Sequence, residues 1–88
     1  MSTEKTRPGR AVSISAASEI SEVEVYTLRY WEKEFYPFLN PARTPGGQRR
    51  YRPEDIQTVL QIKRILRDEM FSIAGAKRHF SRNQQEAA

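Results

Sequence analysis

Apolar residues recur along the chain in helix-like stripes separated by turn-rich breaks. The clearest stripe lies within Val23 to Phe35, where Val25, Leu28 and Phe35 fall near one face and Trp31 on its flank. That spacing predicts a helix with one buried side. It leaves Tyr26, Thr27, Arg29, Tyr30 and Lys33 facing outward, with Arg29 and Lys33 one turn apart. Before it, Ser13 to Ile20 predicts a short first helix. Ser13 or Ser15 can serve as N-cap, and Ile14, Ala17 and Ile20 form a small apolar face. The alanines permit a close approach by a second helix, and Ser21-Glu22 reads as a tight turn, which gives a helix-turn-helix outline. An alternative start for the second helix is a capping box over Ser21 to Glu24.

Tyr36-Pro37 closes the second helix, because proline disfavours helical geometry in the residue before it. Pro41, Pro45, Gly46 and Gly47 then punctuate the run Phe38 to Tyr51, and Gly46-Gly47 predicts the tip of a hairpin. Pro53-Glu54-Asp55 opens a third helix: proline suits the first helical position, and the acids suit the positive end of the helix dipole. Ile56, Val59, Leu60, Ile62, Ile65 and Leu66 give it a broad apolar face to about residue 69, with Lys63, Arg64 and Arg67 on its solvent side. Phe71-Ser72 marks a further break, with Ser72 capping a last short helix from Ile73 to about Phe80 that packs back through Ile73, Ala76 and Phe80. Residues 1–10, polar, basic and interrupted by Pro8-Gly9, are expected to form a disordered arm, and residues 81–88 a frayed tail. The folded unit is thus residues 11–80, mainly α, with about four helices and one short β-hairpin.

Composition narrows what such a unit can do. With 88 residues there is room for one small core, not for an enzyme with a deep pocket. The net charge of +4 suits an acidic polymer. Without cysteine there is no disulfide framework and no thiolate metal site. No apolar run approaches the roughly 18 residues that span a bilayer, and the N-terminus has no signal-peptide core, so the expected location is the cytoplasm. His79 is the only histidine, which argues against a metal site. No arrangement of nucleophile, base and orienting acid is visible, and neither an enzyme nor a cofactor is expected.

The candidate chemistry is instead cationic. Arg43, Arg49, Arg50 and Arg52 lie within ten residues that contain no acid. A basic hairpin beside a helix-turn-helix can neutralise phosphates while its glycines allow close backbone approach. Arginine and tyrosine on the exposed face of the second helix can reach phosphate and base edges. The alternative is a solvated helix in which Arg29 pairs with Glu32 at i, i+3.

Taken together, Ser13-Ile-Ser-Ala-Ala, Thr27-Leu-Arg-Tyr-Trp-Glu32, Gly47-Gln-Arg-Arg-Tyr51, Pro53-Glu-Asp-Ile56 and Phe71-Ser-Ile73 resemble the DNA-binding domain of MerR-type transcriptional regulators. Trp31 and the longer segment before the hairpin look more like the heat-shock-repressor, curli-regulator and light-responsive carotenoid-repressor branches than the mercury sensor. The resemblance implies a winged helix-turn-helix that binds double-stranded DNA, with a recognition helix at about 24–35 in the major groove and a wing at about 38–52 along the backbone. It places Thr27, Arg29 and Tyr30 at DNA, and assigns phosphate to Arg49 and Tyr51. Tyr26 stands where the family often carries arginine, and is a candidate for apolar contact with a thymine methyl. Lys33, Arg43, Arg50 and Arg52 complete the candidate interface. Leu28 and Trp31 match core positions.

The departures are specific. Glu22 stands where the family has a turn glycine, and Glu24 where it has a serine or threonine cap. Arg52 replaces a serine before the third helix, adding a candidate phosphate contact. Met70 replaces a closing glycine, at about 1 kcal/mol if a left-handed backbone is needed. Family members carry a dimerising helix and an effector region after this domain, so the expectation is a monomeric fragment of a homodimeric regulator. Two rivals remain: a winged helix used for protein contact, as an anti-repressor, and an excisionase-like architectural DNA-binding protein.

Overall fold

A computed structural model describes residues 10–68 and 72–87. The elements run α1 (Ile14–Ser21), α2 (Val25–Glu34), β1 (Ala42–Arg43), β2 (Arg49–Arg50), α3 (Pro53–Arg67) and α4 (Ile73–Ala87). This is the winged helix-turn-helix expected from the sequence: α1 packs on α2 and α3, α4 packs on α3, and an antiparallel hairpin forms the wing.

Helix α1 starts where Ser13 Oγ accepts the backbone N–H of Ala16 at 3.1 Å. It ends at Glu22, whose φ of 60° puts it in the left-handed region. The face it buries differs from the one predicted. Ala17 and Ser21 point inward, whereas Ile20 is 47% exposed. Burial of Ser21 is tolerated because its hydroxyl donates to the Ala17 carbonyl at 2.8 Å, leaving no polar atom unpaired. Ser21 therefore belongs to α1, and the capping box that would start α2 early does not form. Glu24 precedes α2 in extended geometry without a side-chain cap.

The core gathers Val23, Leu28, Trp31, Phe35, Leu39, Tyr51, Val59, Ile62, Ile65 and Ala76. Phe80 closes one end, edge-on to Phe35 at 5.8 Å and stacked on Phe38 at 5.9 Å. Of the six apolar residues predicted to face inward on α3, Leu60 instead stays exposed. Lys63, predicted on the solvent side, turns inward and donates to the Ser21 carbonyl at 2.9 Å. It thereby satisfies one of the carbonyls left open at the end of α1.

Ser72 caps α4 as predicted, accepting the N–H of Gly75 at 3.1 Å. The helix then continues to Ala87 rather than stopping near Phe80. Ser81 to Ala87 contains neither proline nor glycine, so nothing in the chain interrupts the hydrogen-bond ladder. Residues 1–9, Met70 and Phe71 lie outside the described residues.

Candidate nucleic-acid interface

Two elements build the site. Helix α2 presents one outward face because Leu28 and Trp31 are turned into the core. Tyr26, at 71% exposure, leads that face. Arg29, Tyr30 and Lys33 are exposed along it, and Thr27 is half-buried at its edge. The Arg29–Glu32 pair allowed by spacing does not form; among the described residues Arg29 has no ion-pair partner, because Glu32 is taken by others.

The wing supplies the second part. Its register pairs Ala42 with Arg50 and Arg43 with Arg49. Side chains alternate between faces along a strand, so directly opposed residues share one. Arg43 and Arg49 therefore sit together on one face, and Arg50 on the other. At the tip, Gly47 adopts φ 88°, a conformation costly for any residue with a Cβ. Thr44 ties the turn together: its N–H donates to the Gln48 carbonyl, and its Oγ1 accepts the Gln48 N–H. At the wing's base Val12 and Tyr51 exchange backbone hydrogen bonds of 2.8 and 2.7 Å. Arg50 reaches the Ala11 carbonyl at 3.3 Å and remains exposed.

One carboxylate joins α2 to the wing. Arg49 Nε donates to both oxygens of Glu32, at 2.8 and 2.7 Å. The Tyr51 hydroxyl donates to the same carboxylate at 2.5 Å. Arg43 lies further away, with Nη2 at 3.6 Å from Oε1. Sequence reasoning assigned Glu32 only a neighbour on its own helix; partners 17 and 19 residues away lie beyond helical spacing.

Three of the residues expected at DNA are engaged within the fold. Tyr51 is wholly buried. Burial first, then its hydrogen bond to Glu32, raises its pKa above the usual phenol value, so it is a neutral donor. Arg49 is committed to Glu32 and largely covered. Arg52 donates from Nε and Nη2 to the buried Asp55 and from Nη2 to the Asn40 carbonyl. Hydrogen bonding to Asp55, reinforced by that residue's charge, raises the Arg52 pKa. The Asp55 carboxylate also accepts the Arg52 N–H at 2.8 Å, which anchors the start of α3. Tyr26, Arg29, Tyr30, Lys33 and Arg43 are thus exposed, with Arg50 exposed on the wing's other face; Thr27 and Arg52 are partly so, and Arg49 and Tyr51 are largely or wholly covered. Among the described residues no group of His, Cys, Asp and Glu could hold a metal ion.

A helix-turn-helix followed by a basic two-stranded wing defines a class of winged-helix regulatory domain. The model for the MerR HTH family of regulatory proteins matches residues 12–83, and the chain belongs to that family. It is 39% identical over 67 residues to the HTH-type transcriptional repressor CarH of Myxococcus xanthus, a match over 76% of this chain and 22% of that protein. It is 34% identical over 74 residues to the putative heat shock protein HspR of Streptomyces coelicolor, covering 84% of this chain and 48% of the relative. The chain thus spans about half or less of the length of these curated relatives. Among solved structures it is similar to HiNmlR, a MerR family regulator lacking the sensor domain, crystallised bound to promoter DNA. The TM-score is 0.65 and the identity 29%, over 78% of this chain and 53% of that one.

Proposed function

We propose that this chain is the DNA-binding domain of a bacterial transcriptional regulator, with α2 entering the major groove and the wing lying along the phosphate backbone. The observation that carries the proposal is the exposed row Tyr26, Arg29, Tyr30 and Lys33 on α2, flanked by the exposed wing cation Arg43, with Arg50 exposed on the wing's other face. Tyr26 and Tyr30 offer ring faces and hydroxyls to base edges, and the cations meet phosphates. The likeness to a family member crystallised on promoter DNA supports the same partner here. In a longer protein, a region beyond this domain forms a homodimer that reads two half-sites, as two-fold operators require. The proposed site of action is the bacterial nucleoid, in the cytoplasm. Among the described residues no helix is long and apolar enough to cross a membrane.

An amide NMR titration with a short duplex tests this. Shifts confined to Tyr26–Lys33 and Arg43–Arg50 that collapse as salt is raised support the reading. Shifts elsewhere, or none at low salt, reject it in favour of a protein-contact module.

A further inference from the structure

Arg43 and Arg49 stand directly opposite each other across the wing, and like charges in that position repel. Between the wing and α2 lies an open cleft of about 270 Å³. Arg29, Lys33, Arg43 and Arg49 bring four cations to its lining, and Glu32 is its only acid. Glu32 is 10% exposed, so its charge is poorly screened by water. Its carboxylate lies where an anion from outside would find the same donors.

The two arginines are held unequally. Arg49 makes two short bonds to Glu32 and is 20% exposed. Arg43 sits at 3.6 Å, is 50% exposed, and also lends Nη1 to the Gly47 carbonyl at 3.3 Å. A phosphate arriving at the cleft can draw Arg43 away without undoing the wing. Drawing Arg49 away would break two of the bonds that join the wing to α2, leaving only the Tyr51 hydroxyl bonded to that carboxylate.

We infer that Glu32 is an internal counter-ion for the interface: it fixes Arg49 as the wing's anchor and holds Arg43 loosely until a DNA phosphodiester takes its place. This rests on the DNA reading above and deepens it. Glu32 is here a positioning residue that touches no DNA, and it lowers affinity for duplexes in general by competing for the cation that DNA needs. The usual expectation for an interface scaffold is the opposite sign: losing it weakens binding.

The test compares wild type, Glu32→Gln and Glu34→Gln by fluorescence anisotropy on a random duplex over a range of salt. Glutamine keeps the shape of Glu32 and an oxygen for the Arg49 Nε, but not the charge. Glu34→Gln removes the same charge from the same helix outside the cleft, where Glu34 lies 3.8 Å from Lys77. Glu32→Gln should bind several-fold tighter at low salt, with a slope of log affinity against log salt steeper by about one. Glu34→Gln should change both much less. Weaker binding by Glu32→Gln with an unchanged slope, or equal effects from both variants, overturns the inference.

Side-chain NMR of the wild type gives a second arm that needs no variant to fold. The Arg43 guanidinium signals should move on addition of DNA while the Arg49 Nε–H stays in place. Movement of Arg49, or stillness of both while the duplex binds, overturns the inference and leaves DNA binding intact. Absence of salt-dependent binding by the wild type overturns the functional reading itself, and the inference with it.

Discussion

Lys63 of α3 donates its ammonium to the carbonyl of Ser21, across 42 residues of chain, at 2.9 Å. The last carbonyls of a helix need partners, and here a distant lysine supplies one where the local turn cannot supply all. Its charge also opposes the negative end of the α1 dipole. Lys63→Met keeps the apolar stem and removes the donor. The variant should lose about 1–2 kcal/mol, because the group is only partly buried. Urea unfolding reads this as a lower midpoint with an unchanged slope; a loss below about 0.3 kcal/mol would show the bond to be dispensable.

Glu22 closes α1 at φ 60°. A side chain in that region is strained, and glycine is the residue that helices favour there. Glu22→Gly should raise stability by up to about 1 kcal/mol, or several degrees in Tm for a domain of this size. The lost ion pair to Lys63, at 4.0 Å and exposed to water, offsets little of that gain. A fall in Tm would show that the turn gains more from the carboxylate than from backbone freedom.

Tyr51 supplies a pH dependence. Burial and the Glu32 hydrogen bond hold its phenol above the usual value near 10. The folded state therefore keeps a proton that the unfolded chain releases above about pH 10. Stability from this group is complete below that pH and declines as pH rises, by up to about 1.4 kcal/mol per unit. Tyr51→Phe should cost about 1–2 kcal/mol near neutral pH. Its deficit relative to wild type should shrink above pH 10. Denaturant melts at several alkaline pH values decide this, and a constant deficit would contradict it.

Arg29 and Arg52 make opposite predictions for DNA. Arg29 stands exposed on the outer face of α2, so Arg29→Ala should flatten the salt dependence of binding by about one phosphate contact. Arg52 is occupied by Asp55 and Asn40, so Arg52→Ala should lower stability while leaving the salt slope unchanged. Thermal melts and anisotropy on the same two proteins separate these outcomes. A flatter slope for Arg52→Ala would return that residue to the interface.

The helices and the wing were legible because their signals are local. Leu28, Trp31 and Phe35 recur at helical spacing, Pro53 opens α3, and Gly47 marks the hairpin tip. The outward set on α2 followed from the same periodicity. What escaped was pairing across the fold. Nothing near Glu32 in the chain announces Arg49 or Tyr51, and nothing near Lys63 announces Ser21. Ile20 and Ser21 were exchanged for a related reason. A serine that bonds back to its own helix can be buried like an alanine, and hydropathy alone does not register that bond.

The wing is stitched from distant pieces of chain: Val12 borders Tyr51, Ala11 receives Arg50, and Glu32 holds Arg49. Such contacts form only after long loops have closed, and loop closure is an entropic cost met before any contact rewards it. We predict that the docking of the hairpin onto the rest of the domain, as distinct from its local pairing, comes late in folding. Substitutions within the hairpin should speed unfolding and leave the folding rate nearly unchanged, which chevron kinetics of wing variants would read; slowed folding would contradict it. Of the two parts of the surface proposed to grip DNA, the row on α2 thus rests on local helical bonds, whereas the wing cations depend on contacts made across the fold.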